Sequence, residues 1–290
     1  MLRPGPRNLI TDVDGILVGN AEDEALRSGT TVVLPEPAAL AAVDVRGGGT
    51  GTRETDLLHP TASNQRVDAI VLSGGSAFGL DAASGVVHWL AAQGRGIEVR
   101  GFHVPIVPAA ILFDLANGGD KNWGAEPPYR RLGQAAAAAA GRDFRLGNAG
   151  AGLGATAGTI KGGLGSASAI DDDGLQVGAL IAVNAVGSVM LPGRRELWAA
   201  AYEMAGEMGG LGLAAIDREL DLDLAVAGRL GGHTCIGVIA TNAKLDKAQA
   251  WRVAMMAHDG LARAIRPVHT PFDGDTLFAL STARQPLAGP

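Results

Sequence analysis

The sequence predicts one interleaved α/β domain over residues 1–290, and three observations carry that prediction. Short β-branched runs recur along the whole chain. Between them, longer segments repeat apolar residues at helical spacing. No composition break, Pro/Ser-rich linker or fixed-period repeat separates one stretch from another.

The first strand is expected at Thr31–Leu34, where TVVL is closed by Pro35, and the second at Ala42–Val45, which runs into Arg46-Gly47-Gly48. Ala69–Leu72 lies between Asp68 and the turn residues Ser73-Gly74-Gly75, and Ile97–Arg100 lies between Gly96 and Gly101. The runs Val177–Val183, Ile236–Thr241 and Leu277–Ser281 complete the strands. Helices are expected at Gly79–Gln93, the alanine-rich Arg131–Ala140, Glu196–Met208 and Asp246–Ile265. In the last, Trp251, Met255, His258 and Ala262 share one face, with Ala254, Leu261 and Ile265 beside them, the pattern of a helix laid on a sheet. The least strand-like stretch, Gly193 to Gly232, reads as a helical excursion that ends in a Gly231-Gly232 hinge.

Hydrophobic residues make up 47% of the chain and aromatics only 4%, so the core is expected to be aliphatic, and 43 glycines indicate tight backbone turns. A net charge of -6, with no Lys/Arg run longer than a pair, leaves no electrostatic footprint for nucleic acid or an anionic membrane, and neither is expected as a partner. Apolar stretches are broken well before the roughly 20 residues that span a bilayer. The single cysteine rules out an internal disulfide and a multi-cysteine metal knuckle. The opening MLRPGPRNLITDVDG lacks the apolar region of a signal peptide, and the expected location is the cytoplasm.

Three glycine clusters raise the question of phosphate: Gly47-Gly48-Gly49, Gly74-Gly75, and Gly150 through Gly165. Only Ser73-Gly74-Gly75-Ser76 follows a strand and opens a helix, which suits an anion at a helix N-terminus, but the lysine of a P-loop is missing. Close backbone packing is the competing reading. Asp171-Asp172-Asp173-Gly174 reads as a solvated turn rather than a metal site. His258 and His269 lack partners at zinc spacing and read as core or surface histidines. Asp273-Gly274-Asp275, ahead of a strand, is either a hairpin turn or an acid pair orienting a catalytic amine or hydroxyl.

The segment GGHTCIGVIATN places Thr234 at the mouth of an apolar run. A threonine hydroxyl needs an adjacent base, and one source is its own α-amine, released when the preceding peptide bond is cut. That amine has a reference pKa of about 7.7 to 8.0, so a neutral fraction exists at neutral pH without a histidine. The alternative is that Thr234 merely begins a strand.

With Thr234 and Asp273-Gly274-Asp275 in view, the chain resembles the L-aminopeptidase/D-esterase family of self-cleaving N-terminal-nucleophile hydrolases, relatives of β-peptidyl aminopeptidases and the nylon-oligomer endohydrolase. The resemblance runs from Leu9-Ile10-Thr11-Asp12 through Val43-Asp44-Val45-Arg46-Gly47-Gly48, Ser73-Gly74-Gly75-Ser76, Lys161-Gly162-Gly163 and His258-Asp259-Gly260 to DGDTLFAL. It implies a four-layer sandwich, two β-sheets between helical layers. It also implies a cut between His233 and Thr234, giving chains 1–233 and 234–290. Thr234 would be nucleophile both in that cut and in hydrolysis of small peptides or amides, without metal or organic cofactor. Asn184 matches the family's oxyanion-stabilising asparagine, Lys161 a lysine near the nucleophile, and Asp273 and Asp275 the positions that hold the amine. The resemblance further implies a homo-oligomer, tetramer or larger. Phe113 stands where some relatives carry a tyrosine donor, and His233 where several carry Asn or Gly. Two other readings share this frame: an acyl transferase like the ornithine acetyltransferases, and an uncleaved homologue that binds a small ligand.

Overall fold

The computed structural model describes residues 1–215 and 232–287. A six-stranded sheet has the order Arg3–Pro4, Gly163–Ile170, Gln176–Asn184, Thr234–Ala243, Thr276–Gln285, Leu40–Val45. All its neighbours are antiparallel except Thr234–Ala243 and Thr276–Gln285, which run parallel. A five-stranded sheet has the order Ile16–Asp23, Ser28–Pro35, Ile70–Ser73, Ala109–Ile111, Thr52–Arg53, with one parallel pair, Ile70–Ser73 and Ala109–Ile111.

Side-chain alternation decides how these sheets stack. Along Thr234–Ala243, Ile236, Val238 and Ala240 point inward and meet Leu180, Ala182 and Phe278 of their own sheet and Val33, Ile70 and Leu72 of the other. Cys235 and Ile239 point outward, against Leu261 and Ile265 at the end of the helix Lys247–Ala264. On the second sheet, Val32, Leu34 and Val71 face away from the first and pack on Val86 and Leu90 of the helix Ala82–Ala91 and on Leu132 and Ala136 of the helix Tyr129–Ala138. The result is helix, sheet, sheet, helix, the four layers the resemblance implies. Each fully buried Leu, Ile or Val in these interfaces stabilises by about 1.5–3 kcal/mol over its exposed state.

Burial on both faces explains why Thr234–Ala243 reads as an unbroken apolar run, since every one of its residues is buried. Two strands away, Gly163–Ile170, sequence GLGSASAI, carries almost no strand propensity and pairs with Gln176–Asn184 over all eight residues. Here the neighbouring strand outweighs local preference. Asp246, the first residue of the expected helix, is its N-cap, its carboxylate accepting from the Gln249 N–H at 2.7 Å while the Gln249 side chain accepts from Asp246 N at 2.9 Å.

One expected helix is corrected. Glu196–Met208 forms only a 3-10 turn at Trp198–Tyr202, followed by turns through Gly206, Gly209, Gly210 and Gly212, all at positive φ. The glycines disfavour helix, and the Glu203 carboxylate instead accepts from the N–H groups of Met208 and Gly210. The rest of the expected excursion, including Gly231, lies outside the described residues. The helix expected at Gly79–Gln93 is α-helical only over Ala82–Ala91, behind a 3-10 stretch at Ser76–Asp81.

Candidate active site

Thr234 is buried and is the first residue of its strand, paired in register with Asn184 on one side. On the other side the parallel strand Thr276–Gln285 extends the alignment backward, and His233 bridges to Asp273. That register puts the Gly274 N–H 3.0 Å from the His233 carbonyl oxygen and 3.2 Å from Thr234 Oγ1. Thr234 Oγ1 itself donates to the His233 carbonyl oxygen. A hydroxyl, the carbonyl before it and a backbone donor on that carbonyl therefore meet at one point.

Only glycine fits at 274, because a Cβ there would stand 2.4 Å from Gly49 O and 2.7 Å from Thr234 Oγ1. The Gly47-Gly48-Gly49 cluster serves the same approach. Gly49 N donates to Asp273 O at 2.8 Å, Arg46 N donates to Asp275 O at 2.7 Å, and a Cβ at Gly47 would lie 2.4 Å from Asp273 O. The cluster is backbone packing, not a phosphate cradle.

Asp273 and Asp275 are buried and fully engaged. Asp273 accepts from Val186 N at 3.1 Å and from Thr270 N and Oγ1 at 3.0 and 2.6 Å. Asp275 Oδ1 accepts from Cys235 N at 2.7 Å, and Oδ2 from His269 Nδ1 at 2.7 Å and His269 N at 3.2 Å. Asp275 thus holds the backbone just after Thr234, and Asp273 ties the Thr270 turn to Val186 beyond Asn184, rather than the pair capping an exposed hairpin. Burial, reinforced by these anions, pushes the Cys235 thiol well above its ordinary range, so it stays protonated beside the site.

Asn184 points its side chain toward the same place. Its Oδ1 accepts from Thr156 N at 2.9 Å, and since a backbone N–H can only donate, the other atom is the amide nitrogen. That nitrogen donates to Phe113 O at 3.0 Å and Gly232 O at 3.2 Å. Asn184 therefore sits one carbonyl short of the His233–Thr234 bond, whose own oxygen is served by Gly274 N–H. Gly232 has φ +128°, and a Cβ on it would strike the Phe113 ring at 2.6 Å. Lys161 donates to the carbonyls of Ala155, Gly152 and Gly162 at 2.8, 3.1 and 3.3 Å, and among the described residues none of its hydrogen bonds goes to Thr234, Asn184 or the aspartates. Burial lowers its ammonium pKa, with Asp114 opposing.

Beside this cluster opens a cavity of about 400 Å³, lined by Phe113, Asp114, Thr156, Asn184, Gly232 and His233. A second, of about 420 Å³, adjoins it through Asn117, Gly154 and Thr156 and reaches Arg27 and Lys161. Burial lowers the His233 imidazole pKa, against the pull of Asp273. The anion site considered at Gly74-Gly75 is already filled: the Gly75 N–H donates to Asp114 at 2.8 Å, and a Cβ at Gly74 would lie 2.2 Å from the same carboxylate. Asp171 accepts from the N–H groups of Asp173 and Leu175, the turn its sequence suggested.

Gly274, Thr156 and His269 are the site residues that sequence reasoning passed over. Gly274 was visible only as a spacer between two acids. Thr156 carries no motif, and His269 meets Asp275 through a loop that spacing does not reveal.

A model of peptidase family S58 matches residues 8–288. An uncharacterized aminopeptidase of Mycobacterium tuberculosis is 48% identical over 289 residues, covering 95% of this chain and 81% of the relative. The 6-aminohexanoate-oligomer endohydrolase of a Kocuria strain is 31% identical over 301 residues, covering 96% of this chain and 76% of its own. Among solved structures, the L-aminopeptidase D-Ala-esterase/amidase of Ochrobactrum anthropi, a variant of the Ntn hydrolase fold, matches with a TM-score of 0.70 over 97% of this chain and 75% of that one. At 23% identity that likeness concerns the fold.

Proposed function

The chain belongs to peptidase family S58, hydrolases of the N-terminal-nucleophile type, and from that premise we propose that it is a self-processing aminopeptidase-like amidohydrolase with Thr234 as nucleophile. The observation that supports this reading most is the meeting of Thr234 Oγ1, the His233 carbonyl and the Gly274 N–H.

In the first reaction Thr234 Oγ adds to the His233 carbonyl carbon, and the negative charge that develops on its oxygen is met by the Gly274 N–H. The C–N bond breaks, the nitrogen of Thr234 takes the hydroxyl proton, and an ester joins His233 to Oγ. Water then hydrolyses the ester, leaving chains 1–233 and 234–290 held together by the pairing of Thr234–Ala243 with Gln176–Asn184 and of Thr276–Gln285 with Leu40–Val45. The freed α-amine becomes the base, accepting the Oγ proton as Thr234 attacks a substrate amide and returning it to the leaving nitrogen.

The second reaction uses a second donor. Departure of Gly232 frees one N–H of Asn184, already aimed into the cavity by the Thr156 N–H, to stabilise the substrate oxyanion. Lys161 acts at one remove, holding the Gly152 and Ala155 carbonyls of the turn that presents Thr156. Asp273 and Asp275 keep the amine's backbone in place. Phe113 contributes its carbonyl and ring and no phenolic donor.

Small peptides or amides suit a cavity of about 400 Å³, in keeping with the named activities of the relatives. The chemistry asks for no metal or organic cofactor. A cytoplasmic homo-oligomer is the setting we propose. Intact mass after incubation at neutral pH tests the reading: two chains with a new N-terminus at Thr234 are expected, and Thr234→Ala should abolish both cleavage and hydrolysis. A wild-type chain that stays undivided refutes it.

A further inference from the structure

Self-cleavage removes the covalent tether on the N-terminal side of Thr234, so the nucleophile must be positioned afterwards by what holds its C-terminal side. Beside the ladders of its strand, that hold includes one side-chain contact next to Thr234, the Cys235 N–H on Asp275 Oδ1 at 2.7 Å. Asp275 is in turn fixed through Oδ2 by one residue, His269, whose Nδ1 stands 2.7 Å away and whose backbone N–H stands 3.2 Å away.

His269 is unusual in three respects. Its φ is +55°, in the left-handed region where a residue with a Cβ is strained. Its ring packs edge-to-face on His258, with centroids 4.9 Å apart at 71°. Among the described residues its Nε2 is buried without a hydrogen-bond partner, as is His258 Nδ1. His258 Nε2 lies 3.1 Å from the Asp44 carbonyl, to which it can only donate, so the tautomer of His258 is set. Burial also lowers the pKa of His258, keeping it neutral behind its neighbour. The other charged groups around this stack are Asp44 and Arg46 behind His258, and Asp273 on the adjacent Thr270.

We propose that His269 is a positioning residue for the processed enzyme: its Nδ1–H holds Asp275, and through the Cys235 N–H Asp275 holds the free Thr234 in attacking geometry. The strained backbone and the His258 ring fix the direction of that N–H. The proposal rests on the reading of Thr234 as the nucleophile. It separates the two reactions, because before the cut Thr234 is still held by His233, and loss of the His269 donor slows self-cleavage less than it slows turnover.

The test compares His269→Gly with His269→Asn in processed enzyme. Glycine accepts a φ of +55° without strain, keeps the backbone N–H on Asp275 and removes the side-chain donor. Asparagine also tolerates the left-handed region, and its amide N–H can stand where Nδ1–H stands. On a small amide substrate, His269→Gly is expected to lose about 10- to 100-fold in kcat with KM nearly unchanged, the effect of misplacing a reacting group by about 1 Å. His269→Asn is expected to recover most of that loss. His269→Ala serves as a second donorless variant should the glycine chain not accumulate folded. A donorless variant with wild-type kcat, or an asparagine variant as slow as the donorless one, overturns the proposal. In both cases wild-type enzyme still cleaves itself and turns over, whereas failure of the underlying reading leaves the wild type undivided, and the proposal falls with it.

Discussion

Replacing Gly274 by alanine tests the self-cleavage geometry at its tightest point. The added methyl would stand 2.4 Å from Gly49 O, whereas ordinary contacts begin at 3.4 Å, so the backbone must yield by about 1 Å. Gly49 is not free to yield, because its own N–H is bonded at 2.8 Å to Asp273 O. Gly274 therefore moves, and its N–H leaves the His233 carbonyl. Loss of one such donor costs about 10²- to 10³-fold, or roughly 2.7–4 kcal/mol of barrier. Overpacking adds about 1–3 kcal/mol of lost stability. The assay is the fraction of undivided chain followed by gel over time at neutral pH, with thermal melting alongside. Gly260→Ala is the control: this glycine lies inside the helix Lys247–Ala264 with nothing within 4 Å of its added Cβ. It should cleave at the wild-type rate and gain about 0.5–1 kcal/mol of stability. A Gly274→Ala chain that cleaves as fast as wild type refutes the assignment of Gly274 N–H as the donor.

Asn184→Ala should slow hydrolysis of a small amide by about 10²- to 10³-fold while slowing self-cleavage far less, since its amide bonds Gly232 O and not His233 O; equal losses in both assays contradict that division. In the uncleaved Thr234→Ala chain, burial holds the His233 and His258 imidazoles below their ordinary value of 6.5, so the unfolded chain binds more protons and stability falls as pH drops through 6.5. Asp68 and Asp114, raised by burial, act in the opposite sense in the window above 3.8. Adding His258→Gln, which keeps a donor for the Asp44 carbonyl, should flatten the fall in melting temperature between about pH 7 and pH 5; an unchanged slope shows that His258 does not carry it.

What could be read from the sequence follows from how local each cause is. Thr31–Leu34, Ala69–Leu72 and Ile236–Thr241 are β-branched and buried on both faces, so composition alone marks them, and the capping box at Asp246 marks a helix start in four residues. Gly163–Ile170 is a strand because Gln176–Asn184 lies beside it, a cause more than ten residues away from some of its members. Glu196–Met208 carries helical spacing that Gly206 and the glycines just after the segment undo. At the site, Thr234 stood out by its position at a strand mouth and Asp273-Gly274-Asp275 as either a turn or an acid pair, but Asn184 and Lys161 had roles only through the family resemblance. Gly274 had no signal at all, because its contribution is a backbone N–H, which every residue but proline possesses.

Under the proposed function one site performs two reactions, and the Gly274 donor bears on how it would do so. Before the cut, the Asn184 amide is occupied by Gly232 O and the cavity is lined by Gly232 and His233, so no substrate amide can take their place. The scissile carbonyl therefore depends on a donor from the opposite strand, Gly274 N–H, brought there by the parallel register of Thr234–Ala243 with Thr276–Gln285. Release of the 232–233 segment then frees the Asn184 donor and opens the cavity in the same event. The nucleophile is common to both steps, but its oxyanion partners come from the two neighbours of its strand in succession. A parallel neighbour whose preceding loop turns inward supplies the first and an antiparallel neighbour ending in asparagine supplies the second, so the placement of Thr234–Ala243 between them is what couples maturation to activity.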